Sequence, residues 1–311
     1  MRSLAVLLVL SVIAAPEAQG RDIYVNNTGG DDTFTGRAAE NVPGREGPVR
    51  TIAKALRLAQ SGDRIVLANT GEPYRESISF VGSRLGGMAW QPLTLVGNGA
   101  VLDGSAPVPP EAWQHHRDNI FRFTPARRGP QQLFLDDRPA QRVPVDLQRE
   151  TVPELEPLQW CELGGSIFFC VEPDKLPAEY SLSYAHLQTG ITLYHVRWVG
   201  ILDLTVQGFR VDGISAANSA EHIYLGGVTC RGNGRAGLSV GGASRVELED
   251  CLIGNNAKAQ LLTLPWSTTS VADSEIFANT APARVDRGGK LYVGDQPVEG
   301  TVDDNIAPPA G

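Results

Sequence analysis

Cysteine and histidine are scarce in this sequence, with 4 and 5 copies among 311 residues. None of them stands at the spacing that a zinc site requires. The sequence also lacks the glycine-rich lysine loop that binds nucleotide phosphates. Zinc enzymes and P-loop nucleotidases are therefore excluded, and any chemistry must come from other side chains.

Positive charge is in deficit as well. Lys and Arg number 27 against 35 Asp and Glu, which gives a formal net charge of -8. A nucleic acid or an anionic membrane surface would require a basic face on the protein. Neither is an expected partner.

The apolar run at residues 4–14 is too short to span a bilayer. It follows Arg2 and precedes the small-residue sequence Ala18-Gln19-Gly20, which is typical of a cleavage site. Residues 1–20 are therefore predicted to be a signal peptide. The mature protein is expected to be secreted or periplasmic, without membrane insertion.

Long helical patterns are missing from residues 199–291, where instead one short pattern recurs three times. The segments "VGILDLTV", "RVELEDCLI" and "TSVADSEIF" alternate apolar and polar residues, as strands do. Equivalent residues follow at steps of 24, then 23, then 23 or 24 positions. They form one column of Asp203, Gly227, Asp250 and Asp273, and another of Gly213, Gly237, Gln260 and Arg284.

A repeat of this length indicates an array whose units bury their apolar faces only by stacking. Three short strands per unit predict an all-β solenoid, the right-handed parallel β-helix, with coils about 4.8 Å apart. A further column holds Asn233, Asn256 and Asn279. Asn tolerates the left-handed backbone of a corner, and its amide can bond to the coils above and below. This column is interpreted as a structural ladder.

The chain resembles the pectate-lyase-like superfamily of right-handed β-helix proteins. The segments "IYVNNTGGDD" and "GPVRTIAKALRLAQSGDRIVLANTGEPYRESI" are similar to the N-terminal part of secreted members. This resemblance implies a first strand, a Gly/Asp loop, a capping helix and then the first coil. The residue pattern predicts that helix at residues 51–60, with Thr51 or a neighbour as its N-cap. The superfamily includes polysaccharide lyases, glycoside hydrolases, esterases and members without known chemistry, so it indicates fold more than reaction.

Five segments are predicted along the chain. They are the signal peptide (1–20), the cap and first coils (21–104), an inserted antiparallel β subdomain (105–191), further coils (192–293) and a C-terminal tail (294–311). Within the insertion, Cys161 and Cys170 flank a hairpin turn, and a disulfide between them is left open. Cys230 and Cys251 are expected to be buried free thiols. A monomer is expected.

Lys258 and Arg235 occupy one column just after the asparagine ladder. Two stacked cations lower each other's proton affinity, and a neutral lysine can act as a base beside an arginine that neutralises a uronate carboxylate. Lyases of the superfamily use Lys or Arg in this way. Lys258 as base and Arg235 as neutraliser are the predicted catalytic pair, and two solvated corner residues are the alternative.

Acidic residues offer a second chemistry. Asp203, Asp250 and Asp273 share a column and are candidate ligands for Ca²⁺, the one cofactor considered. Asp at the start of a turn is the alternative explanation. The same acids, with neighbouring glutamates, also permit the carboxyl pair of a glycoside hydrolase.

Sugar binding would use aromatic rings on the outer surface. Trp266, Tyr224 and Glu247 are the predicted substrate-binding residues, the last two in one outward column. The sequence therefore predicts an exported β-helix protein that binds or cleaves polysaccharide, with a lyase acting on uronate-containing glycan as the first hypothesis. A non-catalytic carbohydrate-binding or cell-envelope protein and a glycoside hydrolase are the alternatives.

Overall fold

The computed structural model describes residues 20–127, 129–146 and 151–308. Apart from Gly20, the predicted signal peptide lies outside this range. Within the range, no helix is long and apolar enough to cross a membrane.

The N-terminal part forms one α-helix and the first coils. In chain order these elements are β1 (Asp22–Val25), α1 (Ile52–Leu58), β2 (Arg64–Leu67), β3 (Ile78–Val81) and β4 (Leu93–Asp103). Helix α1 begins after Thr51, whose hydroxyl accepts a hydrogen bond from Lys54 N at 3.1 Å, as the predicted N-cap should. Its buried face packs on β1, β2 and β3 and covers this end of the solenoid.

An antiparallel subdomain interrupts the coils after β4. Its strands are β5 (Ser105–Pro107), β6 (Gln114–Arg117), β7 (Ile120–Phe123), β8 (Leu133–Leu135), β9 (Arg138–Pro139), β10 (Gln141–Arg142), β11 (Gln159–Leu163), β12 (Ser166–Cys170) and β13 (Leu182–Ala185). They form two sheets, in the orders β10-β11-β12-β7-β6 and β5-β13-β8-β9. The subdomain has its own apolar core around Trp160 and Phe169.

The coils then resume to the C-terminal end. Their strands are β14 (Ile191–Tyr194), β15 (Arg197–Gln207), β16 (Asp212–Ala217), β17 (Glu221–Gly226), β18 (Thr229–Arg231), β19 (Ala236–Val240), β20 (Arg245–Glu249), β21 (Leu252–Gly254), β22 (Ala259–Thr263), β23 (Thr268–Ala272), β24 (Glu275–Ile276), β25 (Arg284–Asp286), β26 (Lys290–Val293) and β27 (Gln296–Val298). The strands of successive coils pair in parallel, and at the C-terminal end β26 and β27 pair antiparallel.

Three faces run along the solenoid. Face A contains β1, β2, the first halves of β4 and β15, and then β17, β20, β23 and β26. Face B contains the second halves of β4 and β15 with β18, β21 and β24, and face C contains β3, β14, β16, β19, β22 and β25. One continuous apolar core lies between the faces. The predicted all-β parallel solenoid, with its capping helix and inserted subdomain, is thus present.

The asparagine column is a buried hydrogen-bond ladder. Asn233 and Asn256 are both inaccessible to solvent, and Asn233 Nδ2 donates to Asn256 Oδ1 at 2.9 Å. Gln260 Oε1 then accepts from Asn256 Nδ2 at 2.8 Å. Contrary to the sequence prediction, neither buried asparagine has the left-handed backbone, which falls on the preceding Gly232 (φ 65°) and Asn255 (φ 58°).

All four cysteines are buried free thiols. Strands β11 and β12 place Cys161 opposite Phe168, so Cys161 and Cys170 are not partners in the hairpin. The disulfide that the sequence left open is therefore absent, because the turn sits at Gly164 and Gly165 and shifts the register. Burial raises the pKa of the Cys161 thiol to about 11, which keeps it protonated and unreactive.

Asp63 joins α1 to the first coil. Its carboxylate is almost fully buried, and it accepts hydrogen bonds from Arg21 Nη2 at 2.7 Å and from the backbone nitrogens of Arg21 and Gln60 at 3.0 and 2.9 Å. Burial alone would raise the pKa of Asp63, but these hydrogen bonds outweigh it and hold the pKa below its usual value.

Replacing Asp63 by asparagine should lower the free energy of unfolding by about 2 kcal/mol at neutral pH. Because the folded pKa lies below the unfolded value of about 3.9, the contribution is complete above that value and is lost as the pH falls through the folded pKa. Urea unfolding of parent and Asp63→Asn proteins at neutral pH and in acid measures the difference. An equal difference at both pH values would contradict the assignment.

Candidate functional site

A change in coil length on face A creates an aromatic stack. Trp198 is an extra residue in its coil, and His222 is the matching extra residue in the next coil. The coil after that has no extra residue at this place, because Arg245 is followed directly by Val246. The extra residue accounts for the step of 24 rather than 23 residues.

The extra residues have strained backbones. Trp198 and His222 have φ angles of 57° and 54°, a region that bulky side chains rarely enter. Their rings lie parallel, with an interplanar angle of 1° and centroids 3.8 Å apart. Strain of this kind persists where surrounding structure enforces it and clusters at binding sites.

A notch lies beside the stack because the outward column of face A lacks one side chain. Thr94, Gly200, Tyr224 and Glu247 follow one another in register across four coils. Gly200 leaves a gap between Thr94 and Tyr224, and a Cβ atom there would meet only the Thr94 side chain, at 3.5 Å. The resulting cavity of about 240 Å³ is bounded by the following residues: Pro92, Thr94, Trp198, Val199, Gly200, Leu202, His222, Tyr224 and Glu247.

Tyr224 is held flat on face A. A Cβ atom on Gly226 would lie 2.8 Å from the Tyr224 ring, so this glycine leaves the space that the ring occupies. The Tyr224 hydroxyl donates to Glu249 Oε2 at 2.7 Å. This hydrogen bond raises the pKa of Tyr224 to about 12, so the phenol stays protonated. Glu247 and Glu249 project from the same side of β20, with Cα atoms about 6.6 Å apart.

The predicted pair of Tyr224 and Glu247 is thus brought together at one notch. Trp198 and Gly200 belong to the same site but were not predicted from the sequence. The signal that points to them is the change from a 24-residue to a 23-residue step next to an aromatic residue.

A second concave surface lies between the inserted subdomain and the corner that joins faces B and C. We call this cavity of about 780 Å³ the insertion groove. Gln141, Arg142 and Glu162 line it from the subdomain, and Asn255 and Lys258 line it from the coils. Lys258 is exposed there.

Arg235 does not share the groove with Lys258. The two residues stack through their backbones, since Lys258 N donates to Arg235 O at 3.0 Å. The Arg235 guanidinium instead binds both oxygens of the buried Asp212, at 2.9 and 2.5 Å. Burial raises the pKa of Asp212 even against this pairing, and the Asp212 hydrogen bond raises the pKa of Arg235. The sequence analysis missed Asp212, and the predicted free neutralising cation is engaged with it.

The acidic column has a structural explanation. Asp203, Gly227, Asp250 and Asp273 all have positive φ angles, between 44° and 64°, and they turn the chain from face A to face B. Asp is among the residues that tolerate this conformation. No group of three or more His, Cys, Asp or Glu side chains suited to a metal ion occurs within residues 20–127, 129–146 and 151–308. Calcium binding stays a prediction.

Trp266 lies apart from both concave surfaces. It is 85% exposed, at the corner that joins faces C and A. Lys258 precedes β22 and Trp266 follows it, so the five-residue strand separates them by about 16 Å along the chain direction. Trp266 is not among the residues that line the insertion groove.

The comparisons with known proteins agree with this architecture. The family model for a right-handed β-helix region matches residues 189–306. The chain has the fold of a right-handed parallel β-helix. A comparison with curated proteins gives no match.

Two solved structures share the fold of this β-helix protein. One, described as a glycoside hydrolase, is 12% identical with a TM-score of 0.57, and the alignment covers 82% of this chain and 73% of the other. The other, XylC in complex with xylose, is 13% identical with a TM-score of 0.54, and the alignment covers 81% of this chain. The β-helix protein spans 58% of the length of that XylC structure. At such identities the likeness establishes the fold alone.

Proposed function

We propose that this exported β-helix protein binds polysaccharide on face A, with the stacked rings of Trp198 and His222 as the platform for a sugar ring. The stack is the observation that carries the proposal. A flat aromatic surface packs against the apolar side of a pyranose, and the adjoining notch has room for a single ring rather than an extended ligand.

Polar groups at the rim suit the sugar hydroxyls. Glu247 borders the notch. Glu249, two residues further along β20, accepts a hydrogen bond from the Tyr224 hydroxyl, which holds its carboxylate in place. Carboxylates accept hydrogen bonds from hydroxyl groups, whereas the aromatic rings take the C–H side of the same sugar. Together these groups present both kinds of contact that a pyranose requires.

Hydrolysis is the reaction that this site favours. Glycosidases use two carboxyl groups about 5 to 9.5 Å apart, and Glu247 and Glu249, whose Cα atoms are about 6.6 Å apart on one side of β20, are able to present their carboxyl groups at such a separation. Of the two similar structures, one is a glycoside hydrolase and the other holds xylose, so both point to carbohydrate. A lyase based on Lys258 is less supported, because Arg235 is engaged with Asp212.

Two variants test binding at the notch. Gly200→Val fills it without a backbone clash, and Trp198→Ala removes half of the platform. Each is expected to weaken binding of the best glycan by about tenfold or more, measured by calorimetry after screening neutral and uronate polymers. Ser270→Val, one coil further along the same column than Glu247, is the matched control and should bind normally. Unchanged affinity in both test variants would refute the proposal.

The reaction is tested on the same panel by reducing-end release and by the ultraviolet absorbance of unsaturated uronates. Glu247→Gln should retain binding and abolish reducing ends if the site hydrolyses. Absorbance that depends on Lys258 would establish the lyase instead. Binding without any product would identify a non-catalytic carbohydrate-binding or envelope protein.

A further inference from the structure

The insertion groove carries positive charge in a protein of net charge -8. The side chain of Lys258 is exposed on the coil side of the groove, and its ammonium group makes no hydrogen bond or ion pair with any residue that the structure describes. Arg142 faces it from the subdomain and pairs with Glu162, Nη2 to Oε2, at 3.0 Å. Among the described residues that line the groove, two cations and one carboxylate leave an excess of one positive charge.

Arg142 is held in a fixed orientation. Its guanidinium lies over the ring of the buried Trp160, 5.1 Å from the centroid, and one of its nitrogens binds Glu162. Glu162 is itself anchored by the Gln131 backbone nitrogen at 3.3 Å. The remaining guanidinium N–H groups have no acceptor in the described part of the chain. A planar, oriented fork of this kind matches a carboxylate.

Amide groups add further donors on the coil side. Asn279 Nδ2 donates to Asn255 Oδ1 at 3.1 Å, which leaves the NH₂ end of Asn255 without an acceptor in the described ranges. The described groove wall thus offers an ammonium, a guanidinium and an amide NH₂, and the carboxylate of Glu162 is already paired. Pro139, Ala140 and Leu163 supply an apolar lining beside these donors. A ligand with an anionic head and a partly apolar body complements this surface.

We infer that the insertion groove binds the carboxylate of a uronate sugar, as a second glycan site distinct from the notch on face A. The choice of a sugar as the body that carries the carboxylate rests on the proposed function. The carboxylate lies between Lys258 and the free edge of Arg142, and the sugar ring packs on the apolar lining. The insertion would then select acidic glycan while face A holds the chain.

The test titrates the mature protein with a galacturonate trisaccharide and with its carboxyl-reduced neutral counterpart. Lys258→Met should weaken binding of the acidic probe by about tenfold, because one charge-assisted contact is lost. Lys290→Met, an exposed lysine on β26, is the control and should not change it. Added salt should weaken the parent protein's binding of the acidic probe.

Several outcomes would overturn the inference. Equal affinity of parent and Lys258→Met for the acidic probe would show that the groove does not take part in binding that probe. Inorganic sulfate that competes as well as the trisaccharide identifies a general anion site instead of a sugar site. Trp198→Ala separates this result from the proposed function, since that variant should impair the neutral probe and leave the Lys258-dependent preference for the acidic probe intact.

Discussion

Replacing Arg284 by methionine is expected to lower the free energy of unfolding by about 3 to 4 kcal/mol. The side chain is 1% exposed and lies in the core column that Ile214, Leu238 and Leu261 fill in earlier coils. Its guanidinium donates to Val298 O and Gly289 O, both at 2.6 Å, and to Thr263 Oγ1 at 3.0 Å. Methionine fills the volume but leaves these acceptors unsatisfied.

The loss should be concentrated at the C-terminal end. Arg284 ties the last coil to the β26–β27 hairpin and, through its backbone, to Val302. Urea unfolding measures the total change, and hydrogen exchange should show faster opening of β26 and β27 than of β17. Arg287→Met, an exposed neighbour, should shift stability by less than about 0.5 kcal/mol. Equal effects of the two substitutions would contradict the assigned role.

Arg284 also shows how far the repeat could be read from sequence. The predicted column of Asp203, Gly227, Asp250 and Asp273 is confirmed as one corner, because each coil has a residue with a positive φ angle at this position. Arg284 was placed with Gln260, one position away from its true neighbour Leu261. A charged residue is not expected in a core column, and only the hairpin that covers it explains its burial.

The candidate sites were less predictable for a physical reason. Tyr224 and Glu247 lie in adjacent coils of one face, so a repeat of known step brings them together. Arg142 and Lys258 line the same groove because the insertion folds back on the coils. The insertion has no sequence repeat, so its path could not be predicted. Asp212 was missed because, in the sequence, an Asp that is buried in a strand cannot be distinguished from an Asp in a turn. Its burial is explained by its ion pair with Arg235, which is visible in the structure alone.

The same contrast explains the division of the surface. Face A is built by the repeat and varies only where one extra residue enters, at Trp198 and His222. The insertion groove owes its donors to two different folds, one from the solenoid and one from the subdomain. A polymer that contacts both surfaces would be recognised by shape on face A and by charge at the insertion, which the two sets of variants separate.

Replacing Asn256 by alanine should lower the free energy of unfolding by about 3 to 5 kcal/mol, because its side chain satisfies polar groups of two successive coils at once. Its Oδ1 accepts from the backbone and side chain of Asn233, at 3.0 and 2.9 Å. Its Nδ2 donates to Cys230 O, Gly254 O and Gln260 Oε1. All these groups lie in a dry corner, so water cannot replace the lost amide. Urea unfolding of the variant gives the value.

Asn279→Ala is the matched control in the same ladder. Asn279 is exposed, so water can replace its hydrogen bonds, and the expected loss is below about 1 kcal/mol. The double variant Asn233→Ala with Asn256→Ala should lose less than the sum of the two single changes, because their shared hydrogen bond is then counted once. Strict additivity, or equal effects at Asn256 and Asn279, would show that the ladder does not stabilise the coils cooperatively.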